Sequence, residues 1–318
     1  MMTEYLILLI ALGGIVLGAD LLVVGAVSIA RKYHISEFVI GAAIVGIGTS
    51  MPELVVSFIG AVQGNADVAI GNVVGSNIFN ILGILGITAI FFPITIDKDN
   101  MKFEIPVCIF ISVLLTILVF NFINGNTPTI SSADGIVLLA TFGLFFWYSF
   151  HRDKKKNEYP NESSDESPSP LWLSVLKVIG GLAILITSCD IFVNNAVHMA
   201  KALGVNDAFI SLTLIACGTS LPELAASVAA AIKKNTQLAL GNIIGSNIFN
   251  ITFILGISSQ VMTLKSAGIS IVDYLVMIAA AIVPLILGIK GKIGRFTGLL
   301  MLISFILYTL YLLCTQVS

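Results

Sequence analysis

The sequence predicts an all-α polytopic membrane protein of ten transmembrane helices, built as two inverted five-helix repeats. Three observations carry this expectation. The 318 residues are 57% hydrophobic and only 11% charged, whereas a soluble globular chain carries about 25% charged residues. The apolar residues come in long runs of about 20, the length that crosses a bilayer as a helix. One block of 40 residues occurs twice. A water-facing surface cannot be made from this composition, which excludes a soluble two-domain enzyme. The net charge of −2 leaves no electrostatic footprint for nucleic acid.

Runs between polar breaks give spans at about 5–30, 36–62, 68–93, 104–123, 133–150, 171–199, 207–232, 237–260, 271–289 and 296–315. Strand barrels are excluded, because they need alternating polar positions. The first run has no cationic leader and no small-residue cleavage site, so it reads as a retained helix rather than a signal peptide. Arg31 and Lys32 follow the first span, Lys98 and Lys102 the third, and Arg152, Lys154, Lys155 and Lys156 the fifth. Lys177, Lys233, Lys234, Lys290, Lys292 and Arg295 fall on the same side, making 14 of the 16 cations; only Lys201 and Lys265 lie opposite. Positive charge marks the cytoplasmic side. Both termini are then outside, in a cell (plasma or inner) membrane.

The hydrophilic stretch 151–170 starts HRDKKK and continues NEYPNESSDESPSP. Its Pro, Ser and acidic content suits a cytoplasmic linker. It divides the chain into a first half, 1–150, and a second, 171–318. Cys108, Cys189, Cys217 and Cys314 lie in apolar runs without CxxC spacing and read as small hydrophobes.

Residues 47–86 and 217–256 align without a gap at an offset of 170, with 22 of 40 positions identical. Asp20 and Asp190 share the offset. Five spans per half is an odd number, so the second half enters the membrane from the opposite side. Transporters that alternate access are often built this way, with the substrate site at midplane where the repeats meet.

Each repeat places a carboxylate in an apolar helix, Glu53 and Glu223, at a cost of about 2.5–3.5 kcal/mol on insertion scales. No Lys or Arg lies in the central part of any span, so the compensating charge comes from outside, as a metal ion or protons. Pro52 and Pro222 lack an N–H and free the carbonyls of Gly48 and Gly218. Carboxylate and carbonyl oxygens suit a hard cation such as Ca²⁺. Thr49, Ser50 and Glu53 are spaced to share one helix face, as are Thr219, Ser220 and Glu223. In GNVVGSNIFN and GNIIGSNIFN, Ser76 and Asn80, and Ser246 and Asn250, are again i,i+4. The glycines Gly71, Gly75, Gly241 and Gly245 allow close helix approach. No Cys or His joins the cluster, which disfavours a soft metal. Asn72 and Asn242 are expected to bond backbone, and Asp20 and Asp190 to serve packing or gating. An intramembrane aspartyl protease built on Asp20 and Asp190 would lack its GxGD signature, and no enzyme activity is expected.

At GTSMPE…GNVVGSNIFN and GTSLPE…GNIIGSNIFN the chain resembles the sodium/calcium exchanger family of the calcium:cation antiporter superfamily, in its compact prokaryotic form. The resemblance implies that Glu53 and Glu223 bind Ca²⁺. It implies that Thr49, Ser50, Ser76, Asn80, Thr219, Ser220, Ser246 and Asn250 complete the sites, with the Gly46 and Ala216 carbonyls. It implies Na⁺ influx driving Ca²⁺ extrusion, with the first and sixth helices sliding over a static core. The implied partners are Na⁺, Ca²⁺ and the lipid bilayer, with no cofactor and no obligate protein partner. Some relatives carry Asp at the position of Asn250; Asn at both equivalent places weakens the case for K⁺ co-transport. The alternative is a Ca²⁺/H⁺ or other divalent cation antiporter, disfavoured because a GNxxE-type block is absent.

Overall fold

The computed structural model describes residues 2–120, 128–155, 170–202, 218–265 and 268–317. In chain order the helices are α1 (Met2–Tyr33), α2 (Glu37–Thr49), α3 (Met51–Val62), α4 (Ala66–Phe91), α5 (Asn100–Phe120) and α6 (Ser132–Lys155). There follow α7 (Leu171–Ala202), α8 (Leu221–Ile232), α9 (Thr236–Val261), α10 (Ile271–Lys290) and α11 (Arg295–Val317). Among the described residues eight helices are long and apolar enough to cross a membrane, or nine if the bent pair α2–α3 is one span. The expected span 207–232 begins outside the described residues; α8 is its described part. The linker from 156 to 169, Cys217 and Ala216 also lie outside them.

Burial sorts these helices into a centre and a rim. In α4 and α9, which carry the GSNIFN segments, 83% and 94% of the apolar window is buried; in α11 the figure is 11%. Leu9, Trp147, Trp172 and Phe296 are all largely exposed. Apolar surface on this scale is foreign to a soluble monomer and fits a lipid-facing rim.

The helix through the first repeat is broken. α2 and α3 meet at 50°, with Ser50 at φ −82°, ψ 10°. Pro52 explains the break: it has no N–H for the Gly48 carbonyl, whereas in the first turn of a new helix no such bond is required. Ser220 repeats the geometry at φ −90°, ψ 10° before α8. The expectation that Thr49 and Glu53 share one continuous helix face is therefore corrected. Thr49 ends one helix and Glu53 lies in the first turn of the next.

α1 and α7 pack along their length. They cross where Gly18 and Gly181 meet: a Cβ on Gly18 would stand 2.6 Å from the Leu185 nitrogen, and one on Gly181 2.6 Å from the Leu22 nitrogen. α2 packs on α9, where Gly241 and Gly245 lie against the backbone of Phe38 and Ala42. The tight turns after α3 and α8 are equivalent and both left-handed, with Gly64 at φ 79° and Lys234 at φ 65°.

Two short antiparallel ribbons tie loops of the two halves together. Ile94 pairs with Ile293 and Thr95 with Lys292; Thr129 pairs with Lys265 and Ile130 with Leu264. Asp153 accepts from the Ser36 N–H at 2.5 Å, and Asp67 from the Gly268 N–H at 2.8 Å. Arg152 pairs with the buried Glu104 and lies over the Phe103 ring, fixing α6 against α5. Asp20, on α1, pairs with Lys233 at the end of α8 at 2.6 Å. Cys108 and Cys189 are buried, as expected, but Cys314 is exposed on the rim.

Candidate ion-binding site

The two broken helices bring their restart points together at the centre. Glu53 and Glu223 are fully buried in the first turns of α3 and α8, where the helix dipole favours negative charge. Each is held by the other half. Ser50 Oγ donates to Glu223 Oε1 at 2.7 Å, and Ser220 Oγ donates to Glu53 Oε1 at 2.7 Å. Among the described residues no Lys, Arg or His forms an ion pair with either carboxylate.

The surrounding polar groups repeat this pairing. Asn72 Nδ2 donates to the Glu53 carbonyl at 3.1 Å and to Ser57 Oγ at 2.9 Å. Asn242 Nδ2 donates to the Glu223 carbonyl at 3.1 Å and to Ser227 Oγ at 2.8 Å. Backbone bonding is thus what these two asparagines do. Thr49 Oγ1 donates to the Val45 carbonyl at 3.0 Å, Ser76 Oγ to the Val73 carbonyl at 3.1 Å, and Ser246 Oγ to the Gly46 carbonyl at 3.2 Å. With each hydroxyl proton committed to protein, the oxygen faces the interior as an acceptor.

Asn80 and Asn250 lie in π-helical turns, over Phe79–Leu85 and Asn250–Ile254. Such turns are rare and gather at functional positions. Both side chains are buried. Asn80 Nδ2 donates to Asn247 Oδ1 at 3.0 Å; Asn250 Nδ2 donates to Ser76 Oγ at 3.2 Å and to Asn77 Oδ1 at 3.4 Å. Asn77 and Asn247 were not among the expected site residues. Their signal was available, as a buried amide duplicated at the same offset.

Thr49, Ser50, Glu53, Ser76, Asn80, Ser220, Glu223, Ser246 and Asn250 are all buried, while Thr219 is half-buried. Ala216 falls outside the described residues. Among the described residues, five buried oxygens of this set have no hydrogen-bond partner: Glu53 Oε2, Glu223 Oε2, Asn80 Oδ1, Asn250 Oδ1 and Thr219 Oγ1. Buried polar atoms are normally paired, and the four carboxylate and amide oxygens, which carry no proton and recur in both repeats, call for an electropositive partner; the Thr219 hydroxyl brings its own proton. Two carboxylates with neutral oxygens make a hard donor set. Among the described residues no group of three or more His, Cys, Asp or Glu is arranged to hold a metal.

A cavity of about 500 Å³ lies beside α7 and borders this centre at Thr219 and the two prolines. Its lining includes Asp190, Cys189, Pro52, Thr219 and Pro222. A second, of about 450 Å³, lies beside Asp20 and Lys233 and stops short of Thr49, which is fully buried.

The chain was compared with known proteins. The family model described as "Sodium/calcium exchanger protein" matches residues 3–151 and 173–314. A putative antiporter, CaxA, from Alkalimonas amylolytica is 39% identical over 97% of this chain and 98% of its own. The sodium/calcium exchanger MaX1 of Methanosarcina acetivorans is 32% identical, with 97% and 98% covered. The solved structure of the sodium-calcium exchanger NCX_Mj, soaked without Na⁺ and Ca²⁺, superposes with a TM-score of 0.83 at 33% identity, covering 97% of this chain and 98% of that one. These matches agree with the buried, duplicated oxygen cage in a multi-pass apolar fold: the chain is a membrane antiporter, not an enzyme, and belongs to the sodium/calcium exchanger family.

Proposed function

We propose that this protein exchanges Na⁺ for Ca²⁺ by alternating access, with Na⁺ entry driving Ca²⁺ out of the cell. The observation that carries this reading is the set of four buried, unpartnered acceptor oxygens, one from each of Glu53, Glu223, Asn80 and Asn250. Among the described residues no buried side-chain nitrogen of this centre is wholly without a partner, so the unmatched groups are oxygens, as a cation site requires. Two carboxylates match one Ca²⁺ in charge, and the same oxygens suit Na⁺. In this reading Glu53 and Glu223 carry the charge. Thr49, Ser50, Ser76, Asn80, Thr219, Ser220, Ser246 and Asn250 supply neutral oxygens, with the carbonyls of Gly46 and Ala216. Ser50 and Ser220 hold the carboxylates apart while leaving one oxygen of each for the ion.

The ten-span, inverted arrangement joins residues 1–150 and 171–318 through a cytoplasmic linker, with both termini outside a cell membrane. Four contacts between described loops support it. The ribbon at Ile94 and Ile293 links two loops expected inside, and the ribbon at Ile130 and Leu264 two expected outside. Ser36 with Asp153 joins inside loops, and Asp67 with Gly268 outside ones. The cavity at Asp190 then lies on the outer side, and the Asp20–Lys233 pair, with its own cavity, on the inner side.

Purified protein in liposomes loaded with Na⁺ should take up Ca²⁺ when the outside Na⁺ is removed. Uptake driven equally by a pH gradient, with no Na⁺ dependence, would replace this reading with Ca²⁺/H⁺ exchange. Repeating the assay with K⁺ tests whether Asn at both 80 and 250 removes K⁺ coupling.

A further inference from the structure

Asn77 and Asn247 stand outside the donor set above, yet both are buried and both lie between the two halves. The main chain fixes their orientation. Asn247 Nδ2 donates to the Asn77 carbonyl at 3.2 Å, and Asn77 Nδ2 to the Asn247 carbonyl at 3.5 Å. A carbonyl oxygen only accepts, so the nitrogen of each amide must face it. Each Oδ1 is thereby turned to the next residue in the network. Asn247 Oδ1 receives Asn80 Nδ2, and Asn77 Oδ1 receives Asn250 Nδ2. An acceptor at that point selects the nitrogen of the incoming amide. The other end of Asn80 and of Asn250 is then oxygen, and those two oxygens are among the buried ones without a partner.

We infer that Asn77 and Asn247 are positioning residues: their reciprocal bonds to each other's carbonyls orient the amides of Asn80 and Asn250 so that oxygen, not nitrogen, faces the transported cation. The inference rests on the exchange reading and names residues that act on the ion only through others. An amide that loses its lock can turn over and present its N–H groups, which repel a cation. Asn250 has a second acceptor in Ser76 Oγ, whereas among the described residues Asn80 donates to Asn247 alone. The Asn247–Asn80 pair is therefore the more sensitive.

The test is a double-mutant cycle on the full-length protein in detergent, titrated calorimetrically with CaCl₂. Asn247→Leu keeps the number and branching of the side-chain heavy atoms, with somewhat greater volume, and removes both the acceptor for Asn80 and the donor to the Asn77 carbonyl. It is expected to weaken Ca²⁺ binding by about tenfold, the scale of one hydrogen bond. In an Asn80→Asp background both terminal atoms are oxygens, so there is no orientation left to lose. There Asn247→Leu is expected to cost less than about twofold, or to improve binding by removing the oxygen that faces the new carboxylate. Equal losses in the two backgrounds mean a general packing role and overturn the inference. So does an Asn247→Leu variant that binds like wild type, or an Asn80→Asp variant that binds no Ca²⁺. If Asn247→Leu is not monodisperse on size exclusion, the mirror cycle of Asn77→Leu with Asn250→Asp is read by the same criteria. Glu223→Gln run alongside separates the two levels: if it keeps full Ca²⁺ affinity, the exchange reading itself fails.

Discussion

Replacing Glu223 by Gln removes one of two negative charges from a site where the carboxylate is fully buried and bonded to Ser50. A Ca²⁺ ligand oxygen lies at about 2.4 Å. At an effective dielectric of about 20, the attraction between a unit negative charge and a divalent ion at that distance is about 14 kcal/mol, and half that for Na⁺. Much of this is recovered. The negative charge is spread over both carboxylate oxygens, only one of which is free for the ion, and a glutamine oxygen is still a neutral ligand. A net loss near one third gives about 4–5 kcal/mol for Ca²⁺ and about 2 kcal/mol for Na⁺, or roughly three decades in Kd against one to two. Calorimetric titration with CaCl₂ and with NaCl measures both. Ca²⁺-dependent flux in liposomes should fall below detection while Na⁺ binding survives. The reasoning is refuted if Ca²⁺ affinity stays within tenfold of wild type, or if Na⁺ and Ca²⁺ lose affinity by equal factors.

The paired hydroxyls give a second expectation: Ser50→Ala and Ser220→Ala should each weaken Ca²⁺ binding by about 10–100-fold, because each removes a hydrogen bond to a charged group, and binding unchanged in either would remove that hydroxyl from the site. Gly18→Ala places a methyl against the Leu185 backbone and should lower the melting temperature and slow exchange, whereas Gly13→Ala, with nothing within 4 Å of its Cβ, should do neither; equal behaviour of the two would contradict the crossing of α1 and α7. Lys234→Gly relieves a left-handed residue at φ 65° and should stabilise by about 0.5–1 kcal/mol, seen as a higher melting temperature in detergent. Asp20→Asn removes the pair with Lys233 and should raise labelling of a cysteine placed at Ala225, in the cavity beside that pair, by a membrane-impermeant reagent added from the side on which Lys233 lies; unchanged labelling would show that the pair does not restrict access to this cavity.

Much of this was legible because the bilayer imposes strong rules. Unbroken apolar runs announced the helices, and a carboxylate inside such a run announced a site. The duplicated block pointed to residues that the structure gathers into one buried cluster, Glu53 and Glu223 with Ser50 and Ser220. What the sequence hid was geometry that depends on distant partners. Pro52 revealed a freed carbonyl but not the 50° bend at Ser50, which carries Thr49 and Glu53 onto separate helices. The ribbons at Ile94 and Thr129 are two residues long, too short for any alternation to show. Asp20 and Lys233 are far apart in sequence, and nothing local to either predicts the pair. Asn77 and Asn247 each follow a site serine directly, off the i,i+4 spacing that places Asn80 and Asn250 on the serine's helix face, and their bonds to each other's carbonyls join residues 170 positions apart.

The crossed serine–glutamate bonds have a consequence for assembly. Asn72 and Asn242 anchor the backbone of Glu53 and Glu223 from within each half, but each carboxylate accepts from a hydroxyl of the other half. Chains comprising residues 1–155 and 170–318, made separately, would each hold one carboxylate with no cross-half donor. Ca²⁺ affinity would then report the union of the halves, and the ion itself would act as the fastener that favours their association.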